Sequence, residues 1–351
     1  IARELVSSEN PFSLAWERHS GGQDTLEALA LADMKLFFEL LNAPPEGRAW
    51  PLLRNFRHES RRTADCASFL AFSGELAAAG SPEGLLDRVT AFYQTRGVGL
   101  LGMGQVFRAR RTGNGAELVP VEDRPPVRLA DLVGYRQQKD LLIRNTEAFL
   151  RGKGSNNVLL YGDAGTGKST SIQALVNEYA DQGLRLIELY KEQYDLIPDI
   201  LRQVKGRNYR FLLFLDDLSF EENETSYKYL KAVMEGGAEA PPENVRICAT
   251  SNRRHLVREV WSDRSDVEHN GDIHRSDTVE EKLSLASRFG LQIFYPAPTF
   301  EEYQQIVSAL SEKAGTDLSP EQLRAAAATW QVRSGSRSGR TARQFVDQLE
   351  H

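Results

Sequence analysis

The run Tyr161-Gly162-Asp163-Ala164-Gly165-Thr166-Gly167-Lys168-Ser169-Thr170 completes the pattern G-x-x-x-x-G-K-[ST] and leaves the chain around it little freedom. Such a loop works only where a buried strand ends and a helix begins. Its glycines turn successive backbone N–H groups inward around a phosphate, and the helix adds its partially positive N-terminus. Both flanks comply: Asn157 to Leu160 is a short run ahead of the loop, and Ile172, Leu175, Val176 and Tyr179 follow at helical spacing. In this reading the backbone from Gly162 through Asp163, Ala164, Gly165, Thr166 and Gly167 to Thr170 cradles the phosphates. Lys168 reaches the β- and γ-phosphates as a point charge, and Ser169 offers its hydroxyl to Mg2+.

With 351 residues the chain has room for more than one domain. Its 41% apolar and 26% charged content is that of an ordinary globular protein, which excludes disordered and fibrous classes. No stretch approaches the roughly 18 uninterrupted apolar residues that a membrane helix needs. A net charge of −6 gives no overall electrostatic footprint for nucleic acid. The cysteines, Cys66 and Cys248, fit no metal spacing and read as buried thiols. With no charged-then-apolar leader after Ile1, the expected location is the cytoplasm.

The composition divides the chain in three. Residues 1–124 read as a mostly helical recognition domain, with apolar periodicity in Asp24 to Leu41 and Arg61 to Ala78 and a hairpin near 96–120. Gly97-Val98-Gly99-Leu100-Leu101-Gly102 spells G-x-G-x-x-G but runs into strand-like sequence, so it lacks the setting of a dinucleotide fingerprint. Pro125-Pro126 marks the boundary. In 125–298 a helix from Arg136 to Leu150 precedes candidate strands at Asn157 to Tyr161, Leu184 to Leu189, Phe211 to Leu215, Val245 to Thr250 and Leu291 to Tyr295. Strands alternating with helices predict an α/β fold with a parallel sheet between helical layers. From 299 to 351 the strands stop; Thr299-x-x-Glu302 and Ser319-Pro320-Glu321-Gln322 are capping boxes and predict a small helical domain.

A phosphate loop needs acids nearby, and Phe211-Leu212-Leu213-Phe214-Leu215-Asp216-Asp217 places two at the end of an apolar strand. Asp216 is the expected carboxylate behind the metal, and Asp217 the residue that orients or deprotonates water. Asn252, after the next strand, is placed to hold the γ-phosphate or that water. The segment 261–278 carries His269 and His274 among acids, without a recognised zinc spacing. Tyr190 and Tyr194 follow the second strand and read as core or helix-start residues.

The order of these parts resembles the AAA-plus branch of the P-loop ATPases, over about Leu129 to Leu349. The resemblance implies that Leu283 to Gly290 is an arginine-finger segment, with Arg288 completing a neighbour's site in a homo-oligomer. It implies that Ser338-Gly339-Arg340 carries the "sensor 2" arginine of a helical lid, Arg343 being the alternative, and that Leu132-Val133-Gly134-Tyr135 lines the adenine pocket through Val133 and Gly134. On the residues alone, Arg288 pairing with Glu280 or Glu281 is the competing reading. Asp216-Asp217-Leu218-Ser219-Phe220 and Ser251-Asn252-Arg253-Arg254-His255 are similar to one bacterial AAA-plus family, domain of unknown function 815. Asp217 departs from the superfamily's usual Glu. The implied activity is Mg-dependent ATP binding and hydrolysis acting on an unidentified client through the N-terminal domain. The alternatives are an ATP-dependent assembly switch and a DNA-associated initiator or loader, the latter opposed by the acidic balance.

Overall fold

The computed structural model describes residues 2–20, 24–42, 66–113, 115–218, 226–235, 241–252 and 285–349. The chain forms two compact units. The first comprises Ile1–Gln105, Pro120–Asp123 and the four residues Gly206–Tyr209; the second holds the remainder.

The first unit is helical among its described residues: α1 (Ala2–Ser7), α2 (Pro11–Glu17), α3 (Asp24–Asn42), α4 (Cys66–Ala77), α5 (Pro82–Arg96) and α6 (Gly99–Met103). Asn10 and Ser81 cap α2 and α5, each with proline at the helix start, where a missing N–H costs nothing. Val6, Phe72, Leu85, Val89, Tyr93 and Val98 form the core. Within it Glu17 is fully buried and receives Arg207 Nε at 2.5 Å and Nη2 at 3.0 Å. Glu17 Oε2 also accepts the Val98 N–H at 2.8 Å, and Glu9 Oε1 lies 3.1 Å from Arg207. Gly97 ends α5 at φ 76°, and a Cβ there would lie 1.5 Å from the Tyr209 hydroxyl. The stretch 97–105 is therefore not strand-like: its G-x-G-x-x-G letters run through a helix cap into the five-residue α6.

The second unit is built on a seven-stranded sheet. Its strands are β1 (Val106–Thr112), β2 (Gly115–Pro120), β3 (Val158–Gly162), β4 (Leu184–Leu189), β5 (Arg210–Leu215), β6 (Val245–Ser251) and β7 (Leu291–Tyr295), in the order β2-β1-β4-β5-β6-β3-β7. From β1 to β7 every described pairing is parallel. The linking helices are α7 (Arg136–Leu150), α8 (Lys168–Tyr179), α9 (Ile197–Val204) and α10 (Ser226–Met234). The near-continuous burial of β3, β4, β5 and β6 is what a sheet covered on both faces requires.

The hairpin expected in the N-terminal domain starts later, at Val106, and belongs to this sheet, because β1 pairs with β4 from Val106↔Leu186 to Arg108↔Glu188. Gln193 Nε2 donates to Ala109 O at 2.8 Å, and Arg111 pairs with Asp195, so both strand face and edge are engaged. The 3-10 turn Lys191–Leu196 separates the two tyrosines of the sequence reading: Tyr194 is 2% exposed, whereas Tyr190 is 53% exposed at the turn's start. Cys248, on β6, is buried, and burial pushes its thiol up to about 12.

Three helices close the chain: α11 (Phe300–Ala314), α12 (Pro320–Ser334) and α13 (Gly339–Leu349). Both expected capping boxes form, at Thr299 with Glu302 and at Ser319 with Gln322. Tyr303, Val307, Leu323, Ala327, Phe345 and Val346 make a separate small core. Among the described residues, no helix is long and apolar enough to cross a membrane.

Candidate active site

At the carboxyl ends of β3, β5 and β6 lies a cleft of about 630 Å3. Its position follows from connectivity: β3 sits between β6 and β7, and the chain leaves it for β4, with β6 and β5 between, so a crevice opens above the sheet there. Gly162 ends β3 at φ 134°, where a Cβ would lie 2.1 Å from Tyr295 O. Gly165 and Gly167 are also left-handed, and Gly167 caps α8. Asp163 ties the loop to β7: its N–H donates to Tyr295 O at 3.1 Å, and its Oδ2 accepts the Ala297 N–H at 2.8 Å.

The Lys168 ammonium is buried under this loop, donating to Asp163 O at 2.7 Å, Gly162 O at 3.2 Å and Asn252 Oδ1 at 2.9 Å. Burial draws its pKa below the usual lysine range, against the opposing pull of Asp163, Asp216 and Asp217. Ser169 Oγ donates to Asp216 Oδ1 at 2.6 Å. Asp217 stands just past β5 with φ 52°, and its Oδ1 accepts Asn252 Nδ2 at 2.8 Å. The loop lysine, the loop serine, both aspartates and Asn252 thus form one hydrogen-bonded group drawn from three strand ends, bridged between the aspartates by the Thr250 hydroxyl.

The lid helix α13 reaches the same loop. A Cβ on Gly165 would meet Ser338 Oγ at 2.9 Å and Arg340 Cβ at 3.1 Å, and one on Gly339 would sit 3.3 Å from Gly165 O. Arg340 and Arg343 both line the cleft. Leu132, Val133 and Tyr135 line its other wall with Ile306 and Leu310, whereas Gly134 does not line it. Tyr135 is left-handed, stacks on Tyr295 at 5.0 Å, and donates its hydroxyl to Pro296 O at 2.8 Å. Lys139 Nζ shapes this wall by donating to Leu132 O at 2.7 Å and Leu129 O at 3.3 Å.

Arg288 does not line the cleft of its own chain; it is half-exposed and lies 3.4 Å from Glu235. Glu280, Glu281, Ser219, Phe220, Arg253, Arg254, His255 and the 261–278 segment with His269 and His274 lie outside the described residues. Among the described residues no cluster of three metal-ligating side chains occurs. A magnesium site of the phosphate-loop kind needs only hard oxygens beside the phosphates, and the close Ser169–Asp216 pair fits that need. Sequence reasoning missed Thr250, Gln173 and Asp131 in the cleft. Thr250 precedes Asn252 by two residues on an extended chain and so shares its side, but no local pattern marks it.

Residues 104–351 match the family described as "Protein of unknown function (DUF815)". The chain belongs to the DUF815 family. It is also similar to the replication factor C large subunit of Methanococcus vannielii, 26% identical over 211 residues, covering 56% of this chain and 39% of that protein. The Staphylothermus marinus replication factor C large subunit is 36% identical over 90 residues, 25% of this chain and 21% of that one. The DUF815 chain thus spans about two fifths or less of the length of these relatives. Among solved structures, it is similar to the Thermotoga maritima RuvB Holliday junction branch migration motor, at 17% identity over 64% of each chain with a TM-score of 0.41. The FIGL-1 AAA domain in complex with ADP is 18% identical, with 63% of this chain and 72% of that one covered and a TM-score of 0.45. The DUF815 chain has a mixed α/β fold built on a mostly parallel seven-stranded sheet.

Proposed function

We propose that this DUF815 protein binds Mg-ATP in the cleft at the phosphate loop and hydrolyses it to ADP and phosphate. The observation that carries the reading is the hydrogen-bonded chain from Ser169 to Asp216, through the Thr250 hydroxyl to the Asp217 N–H, and from the Asp217 carboxylate through Asn252 to Lys168. Charge spreads over the γ-phosphoryl oxygens in the transition state, so catalysis here is positioning plus electrostatics. Lys168 exchanges its carbonyl partners for β/γ-phosphate oxygens, Asp217 and Asn252 orient the attacking water, and Arg340 or Arg343 contacts the nucleotide from the lid. Ser169 and Asp216 would hold the magnesium, which when bound neutralises charge on the β- and γ-phosphates. The wall of Leu132, Val133, Ile306 and Leu310 suits an adenine ring. Arg288, absent from its own cleft, acts on a neighbouring subunit's nucleotide in a homo-oligomer, and the helical N-terminal unit receives the client.

The test is phosphate release from Mg-ATP across a range of protein concentrations, with Lys168→Ala as the blank. Specific activity is expected to rise with concentration and to vanish in the blank. Tight ATP binding without phosphate release at any concentration would overturn hydrolysis. It would leave an ATP-dependent assembly switch, the reading that Asn252 favours by engaging both Lys168 and Asp217.

A further inference from the structure

Thr250 is 2% exposed, one residue from the end of β6, and three groups of the acidic segment converge on it. Its hydroxyl donates to Asp216 Oδ1 at 2.5 Å and accepts the Asp217 N–H at 2.9 Å, while its carbonyl accepts the Leu218 N–H at 2.6 Å. A hydroxyl has one proton to give and lone pairs to receive, so this one atom holds a carboxylate on one side and a backbone amide on the other.

What it holds is unusual. Asp217 is one of three non-glycine residues at positive φ among the described residues. The left-handed region costs an L-residue roughly 1–2 kcal/mol, least for Asp and Asn, so such a conformation persists only where neighbours over-determine it. Here the Asp217 N–H is fixed by the Thr250 hydroxyl, the next N–H by the Thr250 carbonyl, and the Asp217 carboxylate by Asn252 Nδ2. The left-handed turn swings a short carboxylate onto the Asn252 side of the cleft.

We propose that Thr250 is a positioning residue for the hydrolysis put forward above: it locks the backbone of Asp217 so that an aspartate can orient the attacking water. The proposal rests on that reading of the site. A water-orienting carboxylate displaced by about 1 Å costs about 100-fold in rate, whereas Asp216, the other carboxylate bonded to Thr250, keeps its bond from Ser169 in the loop, so nucleotide affinity is expected to change far less.

The experiment compares full-length wild type, Thr250→Val and Thr250→Ser for kcat and KM of phosphate release and for equilibrium binding of a fluorescent ATP analogue, with thermal melts for each. Thr250→Val is expected to lower kcat about 10- to 100-fold with KM and analogue affinity within about twofold of wild type, and Thr250→Ser to restore most of kcat. Unchanged kcat in Thr250→Val, equal losses in both variants, or a loss confined to binding would each overturn the proposal. If Thr250→Val does not fold, Thr250→Ser decides alone: it keeps the hydroxyl and must remain active. Wild type no better than the Lys168→Ala blank removes the hydrolysis reading itself. Wild-type activity with an indifferent Thr250→Val removes only the role of Thr250.

Discussion

At Asp217 the side chain and the backbone conformation select one another. The residue sits at φ 52° with its carboxylate 2.8 Å from Asn252 Nδ2, an arrangement set by a short side chain. Replacing it with glutamate adds a methylene to a carboxylate already in contact, in a backbone region that a longer side chain tolerates less well. Asp217→Glu is therefore expected to lower kcat by about tenfold rather than raise it. Asp217→Asn keeps the Oδ1 acceptor and the shape but loses the charge, so ATP affinity should persist while turnover falls about 100-fold or more. A glutamate variant faster than wild type would show that the left-handed turn does not govern reach. The types and order of Lys168, Ser169, Asp216, Asp217 and Asn252 were legible in the sequence because each is recognised by its spacing from a strand end. Thr250 was not singled out, because a lone threonine inside a buried strand carries no pattern, and only the pairing of β6 with β5 puts it beside Asp216.

Elements were legible wherever the signal was local. Helix α7 follows its apolar periodicity from Arg136 to Leu150, β4 and β7 match their apolar runs, and the capping boxes mark the starts of α11 and α12. The β1–β2 hairpin was recognised by turn chemistry but assigned to the wrong unit, since its partner β4 lies dozens of residues away and strand pairing leaves no local trace. The same non-local logic explains the first glycine of the phosphate loop. Its role is conformational and steric: β3 pairs with β7 through Gly162↔Tyr295, with the Tyr295 carbonyl where a side chain would begin. Gly162→Ala must break either the loop's φ or that strand pair, and a loss of about 3 kcal/mol or more, or failure to fold, is expected in chemical denaturation. Gly154→Ala is the control: it lies before β3 with nothing within 4 Å of its would-be Cβ, so its midpoint should stay near wild type.

For the whole molecule, the sequence divides differently from the folded chain. A break at Pro125-Pro126 reads as a clean boundary, yet Gly206–Tyr209, between α9 and β5, belongs to the first unit. Three of its four residues bond that unit through their side chains: Asn208 Nδ2 donates to Gln94 O and the Tyr209 hydroxyl to Arg96 O, each at 2.6 Å, and Arg207 reaches Glu17. Arg207 is 6% exposed, with Nε and Nη2 on both oxygens of a Glu17 side chain that is fully buried. Nothing in the local sequence marks this pair, because its members lie 190 positions apart. A buried ion pair is weak evidence of net stabilisation, since desolvation offsets most of the attraction, but removing one partner strands the other charge at a cost of about 3–5 kcal/mol. Glu17→Leu is therefore expected to lower the unfolding free energy of the first unit by about that amount. It also deprives the Val98 N–H of its acceptor. In the double variant Glu17→Leu/Arg207→Met no fully buried charge is stranded, and most of the loss should be recovered, since the Glu9 carboxylate that also loses Arg207 is 38% exposed. The check is a double-mutant cycle in urea on the full chain. A coupling energy near zero would mean that the two residues contribute independently, and would overturn the reading that each charge is held by the other.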